Sequence, residues 1–146
     1  MNIMCKQNGF SMLEALVTLV IVSLGLLGIA GIIANSLKVN QGAQARSQAS
    51  WLANDIIDRM RANRITAEGG AYTLASCAAA PAGGSVANDD LSQWCAAVAA
   101  ALPTGTGSVA LAANKVTVTV QWDDSSRHAA ESRVDGSGEI VVETRL

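Results

Sequence analysis

Aromatic side chains are nearly absent: one Phe, one Tyr and three Trp among 146 residues. Half of the chain is nonetheless hydrophobic, and Ala, Gly and Val supply much of that half. Such side chains bury little area each, so a core built from them is thin. Histidine occurs once, at His128. A His-based triad or a zinc site needs partners that the sequence does not place near it. Basic clusters are missing too. Ten Lys and Arg stand against twelve Asp and Glu, for a net charge of −2. The ten are scattered, which argues against nucleic acid as a partner. Asp123, Asp124, Asp135 and Glu139 lack the spacing of an EF-hand calcium loop and read as turn chemistry. No glycine-rich phosphate loop follows a strand. The expectation is no active site, no metal and no cofactor.

Charge is also missing from the N-terminal region, and there the absence is informative. Residues 10–37 carry a single charge, Glu14. Residues 15–34 carry none, and a run of about 20 apolar or small residues can cross a bilayer as a helix. Helix is the required state because lipid satisfies no free backbone N–H or C=O group. Three readings compete. Lys6 with Gly28-Ile29-Ala30 fits a cleaved secretory signal. An uncleaved signal anchor fits the same run. A prepilin leader fits Gly9-Phe10-Ser11-Met12-Leu13-Glu14. Glu14 separates them. An acid well inside the bilayer costs about 2.5–3.5 kcal/mol on insertion scales, and a generic signal gains nothing from it.

The segment GFSMLEALVTLVIV, residues 9–22, resembles the leader of type IV prepilins and pseudopilins. The resemblance implies cleavage between Gly9 and Phe10 by a prepilin peptidase, which also methylates the new amine of Phe10. It implies that Glu14 is the acid used in subunit assembly. A carboxylate one turn from a cationic amine pairs strongly in low dielectric, and an unpaired one is penalised. Lys6 lies before the span and Lys38 and Arg46 after it, so charge alone leaves the orientation open. The resemblance places the N-terminus inside, the helix in the inner membrane as a single pass and the rest in the periplasm.

Gly25, Gly28 and Gly31 recur within the apolar run. Gly inside a helix costs about 1 kcal/mol against Ala. Small residues also let helices approach closely in lipid, and they make a segment that bends. Major pilins often carry a Pro near this place. Here no Pro precedes Pro81, and Gly31 is the nearest substitute. Beyond Leu37, Ala45, Ala49, Leu52, Ile56 and Met60 fall on one helical face. Asp55 with Arg59, and Asp58 with Arg61, are favourable helical pairs. The charged face reads as a solvated surface. One helix is expected over residues 10–63.

WLANDIIDRMRANR, residues 51–64, and DDLSQWCAAVAAALP, residues 89–103, are similar to segments of minor pilins of the PilV group. Residues 68–84 read as loop. Asp89 is expected to cap a helix over 90–101, with Leu91, Trp94, Val98 and Leu102 as its buried stripe. Gly105 and Gly107 mark a further loop. Residues 115–122 alternate as a strand, with Val116, Val118, Val120 and Trp122 on one face. Two more strands are expected at 127–134 and 139–145. The expected architecture is α+β, a long helix packed on a small antiparallel sheet.

Cys77 and Cys95 both follow the membrane segment. In a periplasm they fit a disulfide, and two free buried thiols are the alternative. Cys5 leaves with the leader. The expected organisation is a leader at 1–9, a transmembrane or filament-core helix at 10–37, its amphipathic continuation at 38–64 and a globular α+β domain at 65–146. The resemblance implies a minor pilin that takes part in type IV pilus assembly and initiation and so supports twitching motility and adhesion. Its implied partners are other minor pilins, the major pilin, a pilus adhesin and the processing peptidase, and its implied final place is the pilus at the cell surface. A minor pseudopilin of a type II secretion system is the rival.

Overall fold

A computed structural model describes residues 11–113, 115–125 and 136–146. Gly9 and Phe10, the leader, His128, Asp135 and the strand expected at 127–134 lie outside the described residues. Among those described, the order is α1 (Met12–Ala62), α2 (Arg64–Glu68), a 3-10 turn (Cys77–Ala79), α3 (Val86–Ala101), β1 (Thr106–Ala112), β2 (Lys115–Asp123) and β3 (Ser137–Arg145). The chain divides into two compact units, Met1–Lys38 and Val39–Leu146.

In the first unit, Ser11 begins α1. Its hydroxyl accepts the Leu13 N–H and its carbonyl accepts those of Glu14 and Ala15. That satisfies donors which a helix start otherwise leaves open. Every residue from 11 to 38 is exposed. The helix is apolar and long enough there to cross a membrane. Two of its hydroxyls bond back to the helix: Thr18 donates to the Ala15 carbonyl and Ser23 to that of Leu19. Such back-bonding removes the penalty of a bare polar group in lipid.

The second unit contains the core. α1 contributes Ala49, Leu52, Ala53, Ile56, Ile57 and Met60. They recur at three- and four-residue steps, so one stripe of the helix is apolar. α3 contributes Leu91, Trp94, Cys95 and Val98. Ser85 caps α3 by accepting the Asn88 N–H. The helix thus starts four residues before the position expected, and Asp89 lies inside its first turn instead of capping it. An acid there still meets the positive end of the helix dipole.

The sheet is antiparallel in the order β1-β2-β3. Val116, Val118, Val120 and Trp122 of β2 are buried while alternate residues face outward. With Val109 of β1 they form the sheet side of the core. This is the α+β arrangement expected. β1 was not expected, because TGSVALA carries Gly107 and two Ala, which read as loop. The pairing Gly107↔Val120 makes Gly107 part of the ladder. A Cβ there would collide with the Trp94 ring, so only glycine admits the indole at this point. Outside the three strands, Leu74 forms a bridge with Val109, exchanging two backbone bonds of 2.8 Å.

Candidate functional site

Glu14 sits in the first turn of α1, exposed. No ion pair to it occurs among the described residues. Gly25, Gly28 and Gly31 lie further along the same exposed helix, and a Cβ on any of them would meet nothing within 4 Å. Among the described residues nothing gives a steric reason for these three glycines.

In the second unit the WLANDIIDRMRANR segment does more than face water. Arg59 Nε meets Asp55 at 3.1 Å along the helix, and its Nη1 meets Asp90 of α3 at 3.3 Å. The same nitrogen donates to the Gln93 side-chain carbonyl at 3.3 Å. Tyr72, fully buried, donates its hydroxyl to Asp90 at 2.6 Å and accepts from Asn63 at 3.3 Å. These groups tie the end of α1 to α3 and to the segment after α2. A solvated face was expected for Asp55 and Arg59; the network corrects that expectation. Helical spacing showed the Asp55–Arg59 pair, but nothing in a linear pattern points to Asp90, 31 residues away. Asp58 and Arg61 do pair on the surface, at 2.9 Å.

Burial raises the Tyr72 phenol above its usual pKa, and donation to Asp90 adds to the rise. A raised folded-state value means that the phenol stabilises the fold below its ordinary titration range and ceases to as pH rises through the folded value. Tyr72→Phe should therefore cost about 1 kcal/mol at pH 8, and the gap to the unaltered chain should narrow as pH rises beyond the ordinary tyrosine range. Urea unfolding followed from pH 8 upward measures it. Equal stability at pH 8 would show that the Tyr72–Asp90 bond contributes nothing.

Cys77 and Cys95 are joined by a disulfide with Cα atoms 5.3 Å apart. It links the 3-10 turn to the buried side of α3. Among the described residues no group of His, Cys, Asp or Glu is placed to hold a metal ion.

Comparison with known proteins adds one finding. Residues 4–30 match the prokaryotic N-terminal methylation motif. No curated protein and no solved structure matches the chain. The matched stretch contains Gly9, Phe10, Glu14, Gly25 and Gly28. It implies processing by a prepilin peptidase, and with one apolar N-terminal helix it fits anchoring in a membrane. The motif, the exposed helix behind it and the α+β unit together support a type IV pilin-like protein.

Proposed function

We propose that this chain is a minor pilin of the PilV type. It is cut between Gly9 and Phe10, methylated at Phe10 and retained in the inner membrane by its N-terminal helix, with the second unit in the periplasm. It takes part in type IV pilus assembly and initiation, and so supports twitching motility and adhesion. Its partners are the other minor pilins, the major pilin and a pilus adhesin. The observation that carries this reading is Glu14. It follows the Gly9-Phe10 junction at a fixed offset, inside a stretch that matches the methylation motif. It also lacks an ion-pair partner among the described residues. A carboxylate heading a lipid-length helix calls for a cation, and the amine made by cleavage at Phe10 supplies one, in this subunit or a neighbour. Gly25, Gly28 and Gly31 serve close helix packing and bending on the way from bilayer to filament.

Mass spectrometry of the membrane-extracted protein tests the processing. The mature chain should begin at N-methyl-Phe10. An intact Met1, or a start at Gly31, would overturn the leader assignment. In the same experiment Glu14→Ala should be cut normally and yet leave piliation strongly reduced; normal piliation would remove the role given to Glu14. Deletion of the gene should abolish twitching. Loss of exoprotein secretion with twitching intact would place the chain with the type II pseudopilins instead.

A further inference from the structure

Of the three tryptophans, Trp94 and Trp122 are buried, whereas Trp51 of α1 is 67% exposed. Tryptophan is among the residues enriched at the energetic centres of interfaces. Trp51 borders a groove of about 500 Å³ between α1 and α3, lined also by Gln48, Leu52, Ala97, Ala100 and Ala101. The two helices run antiparallel along it. Arg59 of α1 meets Asp90 near the start of α3, the Leu52 carbonyl accepts from Trp94, and Gln48 shares the groove with Ala101 at the end of α3. The outer side of the last turns of α3 is alanine alone: Ala96, Ala99, Ala100 and Ala101 are exposed and Ala97 is half-buried. Small side chains let another helix approach closely. A large knob therefore lies beside a shallow hole on the same face. Neither wall carries a charge, since residues 47–54 and 91–101 contain none.

These features name a second copy of this chain as the occupant. Knob and hole belong to one chain and lie at one height along α1, so two copies complement each other without a third partner. Their direction is fixed by the anchor. α1 is one helix from Met12 to Ala62, and two copies held in one membrane by its N-terminal end run it the same way. A two-fold axis across the helix would reverse one of them, whereas an axis along it does not. We infer that this chain forms a two-fold dimer about an axis parallel to α1, with Trp51 of each copy seated in the groove of the other. The inference rests on the membrane-anchored reading given above. Each α1 then lies over α3 of the other copy and runs antiparallel to it, as it does to its own α3. Such an interface is isologous, so every contact occurs twice and a residue near the axis faces its own counterpart. A charge there would repel its copy, and the patch has none. The same lack of charge leaves nothing to steer a charged partner onto these walls. Sharing a membrane raises the effective concentration, so less buried area is needed than between chains that meet in solution.

The test uses the full chain in its membrane. Gln48 lines the groove one turn before Trp51, close to the axis, so Gln48→Cys should be joined to its own counterpart by a short thiol-to-thiol cross-linker. The product should have twice the chain's mass. Ala100→Cys, on the α3 wall, should report the same dimer and serves where Gln48→Cys does not accumulate. Adding Trp51→Ala should lower the yield about tenfold, since both knobs are lost, while Trp51→Phe should keep most of it. Ala100→Glu, added to Gln48→Cys, should lower the yield as Trp51→Ala does. Trp51 and Ala100 are exposed, and an unchanged urea midpoint should show that these variants still fold. Val141→Cys, exposed on β3, should give no dimer. No dimer from either groove cysteine would overturn the inference, and so would a yield indifferent to Trp51→Ala. An equal yield from Val141→Cys, or an adduct with a different protein alone, would overturn it too. The mass of the extracted chain reports the processing separately. A chain that starts at N-methyl-Phe10 and gives no dimer fails this inference alone. A chain that keeps Met1 and gives the dimer fails the leader assignment and leaves the interface standing.

Discussion

Replacing Trp94 with Ala should lower the stability of the second unit by about 3–5 kcal/mol. That is a large part of the 5–15 kcal/mol that typically separates folded from unfolded domains, on the order of the whole margin for a small one. The reason lies in what else fills the core. Most buried positions hold Ala, Val, Leu or Ile, and Trp94 heads the fully buried side chains by volume. It comes from the middle of α3 and ends against Gly107 of β1, where a Cβ would strike the ring. Its indole N–H donates to the Leu52 carbonyl of α1 at 2.9 Å. One side chain therefore joins two helices and the sheet. Small neighbours cannot swing in to refill so large a void, so the cavity part of the cost is retained. Trp94→Phe should cost less, about 1–2 kcal/mol, because an aromatic ring still fills the near part of the site, while the N–H and the distal edge of the indole against Gly107 are lost. Urea midpoints of the two variants decide it. Equal costs would mean that the hydrogen bond, and not the volume, holds the three elements together.

The sequence foretold the parts of this core that a one-dimensional pattern encodes. Ala49, Leu52, Ile56 and Met60 repeat with the helical period, and Val116 to Trp122 alternate with the period of a strand. Both stripes are buried. Leu91, Trp94, Val98 and Leu102 were legible for the same reason. What escaped depends on three-dimensional neighbours. β1 is built from weak strand formers, and it is a strand because β2 on one side and Leu74 on the other satisfy its backbone. Gly107 signals a loop locally and is a ladder residue because a tryptophan lies over it. The N-terminus of α3 was misplaced because Asp89 is as good a capping residue as Ser85; the choice between them is made by where the chain arrives from residues 80–84. Asp55 and Arg59 look like any exposed helical pair until Asp90 is brought beside them. At the N-terminus the position is reversed. Gly9, Phe10 and Glu14 carry a message for a processing enzyme, so their order is informative without any fold.

Removing the disulfide should be the second large effect. Cys77 and Cys95 are 18 residues apart, and closing a loop of that length contributes about 3 kcal/mol in the chain-entropy model. The loop it closes contains the start of α3 and the positive-φ turn at Gly83 and Gly84, and no residue from Cys77 to Val86 is fully buried to hold that part in place. The segment before it is held at two other points. Tyr72 donates to Asp90 of α3, and Leu74 exchanges two backbone bonds with Val109. Reduction therefore should not release everything at once. In the double variant Cys77→Ala, Cys95→Ala, global stability should fall by about 3 kcal/mol. Amide exchange should accelerate most from residue 75 to residue 86, less at Leu74 and least at Trp94. In the unaltered chain neither cysteine should react with an alkylating reagent until a reductant is added. Full labelling without reductant, or a double variant with an unchanged unfolding midpoint, would show that the bond does not form in the cell. The thin aliphatic core would then have to supply alone what the cross-link is credited with here.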